Sequence, residues 1–471
     1  MLFNSFEYVL FLVLTCSAFW GLVRYRLLRT VMLLLSSYVF YMSWNASFLV
    51  LIVGSTAVDY CVAIQIYKSE RPWQRKALLA ISLTLNLGLL GLFKYADFAV
   101  GAFVETASLF GFALEPTYLH LVLPVGISFY TFQTLSYSID VYRGTLKPTR
   151  SFLEFATFVA FFPQLVAGPI VRASEFLPQF DKDPRLRTHQ VGEGLFLILC
   201  GMMKKVLVAD FLAIRLIDRV FENPGTFSSA EVWFAVYAYT WQLYGDFSGY
   251  TDIARGSARL FDFELPRNFD RPFQTTGPIE FWRCWHMTLS RWVQDYIYIP
   301  LGGSRISPLR SYANLFFSFV LIGVWHGAGW TFVLFGIWHA TGVTLNRLYR
   351  SLRTSKEPFR GWKKWLSMLV SVHFFVIHWP IFRSPNVERM MEVYEQMFAF
   401  SGASMRVDGW VWTVFIAVSV VHFTPRLWVP KVQSFFVSLP AFAQAAVVTA
   451  IAALLLYVGS EQAAPFVYFQ F

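Results

Sequence analysis

Apolar runs long enough to cross a lipid bilayer recur from the beginning of the chain to its end. A helix needs about 20 apolar residues to span the hydrocarbon core. Hydrophobic residues make up 56% of the 471 residues and charged residues only 14%, whereas average soluble domains carry about 25% charged residues. A soluble fold cannot bury this much apolar surface, and the runs extend far beyond a signal peptide. The sequence therefore predicts an all-α, polytopic integral membrane protein.

The runs predict one integral membrane domain over residues 1–471, with no soluble domain of any size. Residues 250–310 are rich in Arg, Asp and Trp and have no clean apolar run, so we expect amphipathic or re-entrant structure there. Such structure is tolerated at membrane depth only when it packs in protein or lines water. The candidate spans lie near residues 7–23, 31–45, 47–67, 77–94, 98–114, 119–139, 152–170, 190–214, 230–247, 312–326, 329–346, 365–383, 409–424 and 438–459.

Lysine and arginine are concentrated in short loops between the spans, and these loops account for most of the net charge of +10. Cytoplasmic loops of membrane proteins carry an excess of these residues. The basic segments 24–29, 68–76, 143–150, 346–364 and 425–431 are therefore predicted to be cytosolic. This arrangement places both termini outside the cytosol, with residues 462–471 as an extracytoplasmic aromatic tail. The same distribution gives little support to nucleic-acid binding.

His326 stands in the otherwise apolar stretch GVWHGAGWTFVLFGIWH, residues 323–339. From the basic loop at 304–311 to His326 is about 22 Å of helix, so the imidazole is predicted to lie beyond the middle of the bilayer. Gly327 and Gly329 remove side chains beside it and let the backbone leave the helix. An ionisable residue inside a membrane span indicates a functional site. The alternative is a neutral histidine bonded to a neighbouring carbonyl.

Other polar residues in apolar surroundings are candidates for lining a tunnel. His339 follows His326 by 13 residues, which would place it on another face of an unbroken helix, so a shared metal is not expected. The scattered cysteines likewise predict neither a zinc site nor a disulfide framework. Interhelical hydrogen bonds or ion pairs explain several of these residues equally well. The tunnel candidates are Ser128, Gln133, Asp246, Trp325, Trp330 and His339.

The segment FWRCWHMTLSRWVQDYIYIPLGG, residues 281–303, is a further polar constellation. Arg283, His286 and Ser290 recur at helical spacing and are predicted to share one helix face. The charges of this segment are equally consistent with structural ion pairs.

Several motifs together resemble the membrane-bound O-acyltransferases (MBOAT), and most closely the alginate O-acetyltransferase-like branch. They are WHGAGW, the 281–303 segment with the following Ser-Arg, GDFSGYTDIA with LPRNFDRPF, and FFPQLVAGPIVR. The resemblance implies a helical bundle with a central tunnel, and it extends over nearly the whole chain. It implies that His326 is the catalytic histidine and that His286 occupies the second polar position of the family.

The resemblance further implies O-acetylation with cytosolic acetyl-CoA as donor and a bacterial inner-membrane location. Transfer from a thioester to a hydroxyl needs a base for the hydroxyl proton and a donor for the oxyanion. An imidazole with a pKa near 6.5 is a suitable base at neutral pH. The implied acceptor is an extracytoplasmic polysaccharide, reached through a periplasmic SGNH-hydrolase-like acetyltransferase as partner.

The chain ends in PFVYFQF, which places Tyr468 between two phenylalanines. Relatives of the D-alanyl transfer type carry such a tail, and the resemblance implies that Tyr468 carries the acyl group covalently. A phenol is a competent nucleophile when a base is beside it. The alternative is an aromatic anchor at the membrane interface.

Three other functions stay open at the level of sequence. One is direct acyl transfer for acetylation of peptidoglycan or cellulose. The second is a transporter or flippase, although the inverted repeats and paired intramembrane charges of many transporters are not evident. The third is a non-catalytic scaffold of a polysaccharide export machine. The polymer, the acyl length, the oligomeric state and the CoA-binding residues are not specified by the sequence.

Overall fold

A computed structural model describes residues 1–166, 168–354, 357–402 and 405–459. Throughout these ranges the regular elements are helical, which confirms the predicted all-α class. The tail at 462–471, including Tyr468, lies outside the described residues. The chain divides into two compact units: residues 1–194 with 254–266, and residues 195–253 with 267 onward. Helices α10 (Thr188–Met203) and α12 (Ser229–Leu260) contribute residues to both.

The first unit is built from helices of very different length. Its main packing contact joins α3, α4 and α6, where the buried Asp59 carboxylate accepts hydrogen bonds from Ser82 Oγ (2.5 Å) and Asn86 Nδ2 (2.8 Å). The helices are α1 (Phe6–Gly21), α2 (Arg26–Met42), α3 (Leu49–Lys68), α4 (Pro72–Leu90), α5 (Ala96–Leu109), α6 (Ile127–Arg143), α7 (Phe152–Ala160), α8 (Phe162–Leu165) and α9 (Ala173–Phe176).

The second unit holds the histidine-rich part of the chain. Besides π-helical turns at Lys204–Asp210, Ala213–Ile217 and Gln294–Tyr298, it has α11 (Asp218–Glu222), α13 (Pro278–Trp282), α14 (Met287–Val293), α15 (Pro308–His326), α16 (Trp330–Leu352), α17 (Gly361–Ile377), α18 (Trp379–Arg383), α19 (Val387–Phe398), α20 (Gly409–Phe423), α21 (Trp428–Ser438) and α22 (Ala441–Val458).

Four helices of the described chain are long and apolar enough to cross a membrane, or five if the bent pair α20–α21 forms one span. This supports a multi-pass membrane protein but not all fourteen predicted spans. The spans predicted at 77–94 and 98–114 are one continuous helix, Pro72–Leu109, joined by a π-turn at Gly91–Tyr95. Gly91 lies at this junction but does not break the helix, so the two apolar runs belong to one helix.

Two other predicted spans are wrong over part of their length. Residues 119–126 are not helical, because Pro124 and the left-handed Gly126 (φ +77°) precede α6, and the Asp97 carboxylate binds the backbone N–H groups of Leu119 and His120. The span predicted at 152–170 stops at Ala160, since Phe161 is extended and Pro163 follows it.

The segment predicted to be amphipathic or re-entrant begins later than expected. Residues 250–260 complete the 32-residue helix α12, whereas residues 261–307 form only short helical turns. The expectation that Arg283, His286 and Ser290 share one helix face is wrong. Helix α13 ends at Trp282, and His286 has a left-handed backbone (φ +42°) immediately before α14.

The hairpin of α15 and α16 carries the residues of greatest interest. Its two helices approach closely at Gly323 and Gly336: a Cβ atom built on Gly323 would lie 2.5 Å from Gly336 Cα and 2.5 Å from the Phe332 carbonyl oxygen. Small residues let membrane helices pack backbone to backbone in this way. Gly323 lies one helical turn before His326, so this contact fixes the end of α15.

Replacing Gly323 with leucine is expected to lower the thermal unfolding temperature of the detergent-solubilised protein. Overpacking of a close contact typically costs about 1–3 kcal/mol, and here the obstructing atoms belong to the backbone, which cannot rotate away. Gly54→Leu is the matched control, because a Cβ at Gly54 meets no atom within 4 Å. Equal unfolding temperatures for the two variants would contradict the close packing.

Candidate active site

His326 is the last residue of α15, and α16 begins four residues later at Trp330. The predicted exit from the helix at the glycines is confirmed: Gly327 and Gly329 both have extended backbones. Such angles are open to any residue, so the need for glycine at 327 is steric. A Cβ there would lie 2.1 Å from the Phe332 ring. The space beside His326 that the glycine provides is therefore filled by Phe332.

The His326 side chain is buried and faces a small cavity of about 10 Å³. A cavity of this size holds about one water molecule. The rings of Phe335 and Phe382 stand edge-on to the imidazole at 5.4 and 5.5 Å between centroids. The lining consists of three histidines among large apolar side chains: Leu243, Phe281, Trp282, Trp285, His326, Phe335, His339, His378, Trp379 and Phe382.

His339 lines the same cavity as His326. The sequence placed the two on different faces of an unbroken helix, but the break at 327–329 turns the chain back on itself. Phe335 lies between them, 5.4 Å from the His326 ring and 4.4 Å from the His339 ring. Among the described residues no three His, Cys, Asp or Glu side chains are arranged to hold a metal ion.

His378, which the sequence analysis did not single out, completes the histidine cluster. It lies between α17 and α18, is fully buried, and places its Nε2 3.3 Å from Nε2 of His339. The signal for it was present, since His378 stands in the apolar run FFVIHWP near the end of a predicted span. The criterion applied to His326 would have found it.

His286 and His326 both lie next to the Trp325 ring. The Trp325 ring is 5.1 Å from the His326 ring and 5.9 Å from the His286 ring. His286 is fully buried, and its Nδ1 is 3.3 Å from Oδ1 of Asn268. A left-handed backbone is strained for a histidine, and here it directs the side chain inward from a sharp turn before α14.

The other tunnel candidates do not line this cavity. Trp330 is about half exposed, and Asp246 forms a buried ion pair, 2.8 Å from Lys205 Nζ, which also contacts Asp210. Ser128 and Gln133 both belong to α6 of the first unit, where Gln133 is fully buried. Trp325 flanks the cavity by contacting His326 directly.

A second, larger cavity of about 1390 Å³ lies between α13, α16 and α17. It is bordered by the basic segment 346–364 predicted to be cytosolic, and its basic side chains are Arg350, Arg353, Lys363 and Lys364. Arg350 donates to Glu280 at 2.8 Å. Burial acts to raise the pKa of the Glu280 carboxyl, but hydrogen bonds from Thr276 and Arg350 outweigh it and hold that pKa below its usual value.

One layer of side chains separates the two cavities. Gly342 and Phe374 line the larger cavity, while His339, three residues before Gly342 on α16, lines the smaller one. The Phe374 ring packs directly against Gly342, where a Cβ would meet it at 2.1 Å, and its centroid is 6.1 Å from that of His339. A group passing from the larger cavity to His326 therefore displaces Phe374 or a neighbouring ring.

This arrangement can perform acyl transfer. An imidazole beside a cavity that holds about one water molecule can remove a hydroxyl proton. The basic cavity one layer away can hold an anionic donor.

Comparison with known proteins points to the same chemistry. The sequence model of MBOAT, the membrane-bound O-acyltransferase family, matches residues 146–383, a range that includes His286, His326, His339 and His378. The chain is 40% identical over 380 residues to the probable alginate O-acetylase AlgI of Pseudomonas aeruginosa, covering 79% of this chain and 70% of that protein.

Relatives with other acceptors are also similar. The chain is 38% identical over 399 residues to the peptidoglycan O-acetyltransferase of Helicobacter pylori, which covers 79% of this chain and 74% of that protein. It is 26% identical over 274 residues to the teichoic acid D-alanyltransferase of Bacillus subtilis, over 56% of this chain and 69% of that protein. The chain is thus a membrane-bound O-acyltransferase and belongs to the MBOAT family.

Proposed function

We propose that this enzyme takes an acetyl group from cytosolic acetyl-CoA and passes it across the bacterial inner membrane for O-acetylation of an extracytoplasmic polysaccharide. The observation that carries the proposal is the placement of His326 at a water-sized cavity one side-chain layer from a large basic cavity. The 40% identity to a probable alginate O-acetylase makes an alginate-like exopolysaccharide the leading acceptor.

In this proposal His326 is the general base. It removes the proton of the attacking hydroxyl, the oxygen forms a bond to the acetyl carbonyl carbon, and the bond from that carbon to the CoA sulfur breaks. The CoA thiolate leaves and takes the proton from the His326 imidazolium. His286, which contacts Asn268 and lies next to the Trp325 ring, is the second polar residue of the site.

The large cavity is the proposed binding site for the CoA part of the donor. CoA carries several negative charges, and the cavity presents Arg350, Arg353, Lys363 and Lys364 against the acidic Glu280 and Glu357. Its volume exceeds the roughly 300–1,000 Å³ of typical ligand pockets. The reactive end of the donor then enters past Phe374 towards His339 and His326.

Reversing two charges of this cavity, Lys363→Glu with Lys364→Glu, is expected to raise KM for acetyl-CoA by about tenfold or more while kcat changes little. A tenfold change corresponds to about 1.4 kcal/mol of binding free energy. Reversing two charges near a polyanion is expected to cost at least this much. The measurement is acetyl-CoA consumption in proteoliposomes at low and high salt, because screening weakens the effect. Lys431→Glu is the control: Lys431 is exposed on α21 and does not line the cavity. An equal rise in KM in the control would contradict the assignment of the donor site to this cavity.

The whole chain acts, in this proposal, as one membrane catalytic domain with both termini extracytoplasmic and residues 462–471 as its outer tail. Tyr468 receives the acetyl group and a periplasmic SGNH-hydrolase-like acetyltransferase passes it to the polymer. Direct transfer to peptidoglycan or cellulose is the alternative, and the similarity to the Helicobacter pylori peptidoglycan O-acetyltransferase supports peptidoglycan as an acceptor. A transporter or scaffold is disfavoured, because neither needs a buried base beside a donor cavity.

The decisive experiment compares polysaccharide from producing cells with and without this chain. The acetyl ester content of the exopolysaccharide should fall to background without it, and membranes containing the chain should release CoA from acetyl-CoA. Loss of esters from the cell wall alone would assign peptidoglycan as the acceptor. Unchanged ester content in every polymer would refute the proposal.

A further inference from the structure

The contact between His339 and His378 is unusual for the interior of a membrane protein. Their Nε2 atoms are 3.3 Å apart, and the residues are 2% and 0% exposed. Tryptophan rings pack against both imidazoles. The ring centroid of Trp282 is 5.1 Å from that of His339, and the ring centroid of Trp379 is 4.1 Å from that of His378. Two imidazoles therefore share one hydrogen bond in a setting that otherwise offers them no solvent.

The contact leaves two polar atoms unused. One proton lies between the two Nε2 atoms, so one ring donates and the other accepts. Nδ1 of His339 and Nδ1 of His378 are both buried, and neither has a hydrogen-bond partner among the described residues. An unpaired buried polar group costs about 1–3 kcal/mol in proteins, and such exceptions call for an explanation. A structural crosslink between helices would need only the Nε2 contact.

Both histidines line the same cavity as His326. This cavity has room for about one water molecule, and His326 and His339 are both among its lining residues. A carbonyl oxygen is of that size. His339 is also closer along α16 to the larger cavity, since Gly342 is one turn further on and lines it.

We propose that His339 donates a hydrogen bond from Nδ1 to the carbonyl oxygen of the bound thioester, and that His378 positions His339 for this by donating from its Nε2 to His339 Nε2. The inference rests on the proposed function and assigns an oxyanion donor to the same site. Charge develops on the carbonyl oxygen when the hydroxyl attacks, and a fixed N–H stabilises it. A neutral imidazole suffices as donor, so the pair needs no extra proton. His339 is then a catalytic residue, and His378 a positioning residue.

Two isosteric substitutions separate this role from a structural one. The asparagine amide occupies the place of imidazole Nδ1, and the glutamine amide that of Nε2. His339→Asn is therefore expected to keep kcat within about tenfold of wild type, whereas His339→Gln should lose 10²–10³-fold, as does removal of an oxyanion donor. If the pair is only an interhelical crosslink, the order is reversed. Equal activities, whether both kept or both lost, overturn the proposal.

The positioning role of His378 has its own variants. His378→Gln retains a donor at the Nε2 position and should keep most of kcat, while His378→Phe should lower kcat about tenfold with little change in KM for acetyl-CoA. His373→Gln, in the preceding helix α17, is the control, because His373 bonds Tyr237 and does not line the cavity. A His378→Phe variant with normal kcat would remove His378 from the mechanism.

A binding measurement on the wild-type protein covers the case in which the variants fail to fold. Acetonyl-CoA keeps the carbonyl group but cannot transfer it, and propyl-CoA lacks the carbonyl. The ketone should bind at least tenfold more tightly, and equal binding overturns the proposal. Failure of the proposed function is distinguishable, because wild type would then not consume acetyl-CoA at all. Wild-type turnover with the reversed order of the His339 variants refutes this inference alone.

Discussion

His326→Gln is expected to abolish acetyl-CoA-dependent acetylation while the protein still inserts and folds. Glutamine fills the volume of the imidazole but has no basic nitrogen, so the hydroxyl proton has no acceptor. General base catalysis contributes about 10²–10⁴-fold, and the loss of the imidazolium that reprotonates the leaving thiolate adds to it. The expected result is a fall in kcat of at least 10³-fold with KM for acetyl-CoA nearly unchanged, since the donor cavity is untouched. The assay is CoA release from proteoliposomes, together with acetyl ester content of the polymer in cells.

The environment of His326 makes glutamine the informative replacement. Phe335 and Phe382 stand edge-on to the ring, so alanine would leave a void and mix a packing defect with the chemical one. His422→Gln is the matched control, a buried histidine of α20 packed against Trp241 and Tyr244 and outside the cavity lining. Near-normal turnover by His326→Gln would end the assignment of His326 as the base.

Tyr468→Phe is expected to eliminate polymer acetylation although only one oxygen is removed. In the proposed relay the phenol oxygen accepts the acetyl group from CoA and releases it to the partner, so phenylalanine cannot replace it. An interface anchor uses the ring alone, and for that role phenylalanine is an adequate substitute. The readout is acetyl ester content in cells, with mass spectrometry of the C-terminal peptide for an added acetyl group in wild type. Tyr457→Phe is the control, because Tyr457 is an exposed tyrosine near the end of α22.

Two outcomes would contradict the relay. Full polymer acetylation by Tyr468→Phe would replace it with direct transfer from CoA. A tail on the cytosolic side would exclude it as well. A cysteine introduced at 468 in a background without the native cysteines should react with an impermeant maleimide in spheroplasts, and lack of reaction places the tail inside.

His326 is the part of the candidate site that the sequence predicted best. The sequence marked it because an imidazole in an apolar run costs free energy, and the glycine bracket predicted the exit from the helix that the structure shows. The same reasoning kept His339 as a tunnel candidate but placed it on a different helix face from His326, because the faces were counted along an unbroken helix. It passed over His378, which becomes significant only when another helix brings it to His339.

The number of membrane-spanning helices was likewise predicted only in part. Apolar composition predicted the membrane class, because no soluble fold can bury that many apolar side chains. It could not tell whether two adjacent runs are two spans or one helix, as at Pro72–Leu109, where a π-turn absorbs the irregularity. Nor could it foresee that the Asp97 carboxylate would accept hydrogen bonds from the backbone N–H groups of Leu119 and His120, where the chain is not helical.

The sequence by itself determined that the chain is a helical membrane protein of acyltransferase type with a histidine buried in its hydrophobic part, because composition and local motifs are properties of neighbouring residues. Only the tertiary structure decided which residues share a cavity with that histidine and where a basic cavity adjoins it. Those neighbours come from α12, α13, α16 and α18 and from the turns next to them, and their meeting depends on how helices pack, which no local spacing records.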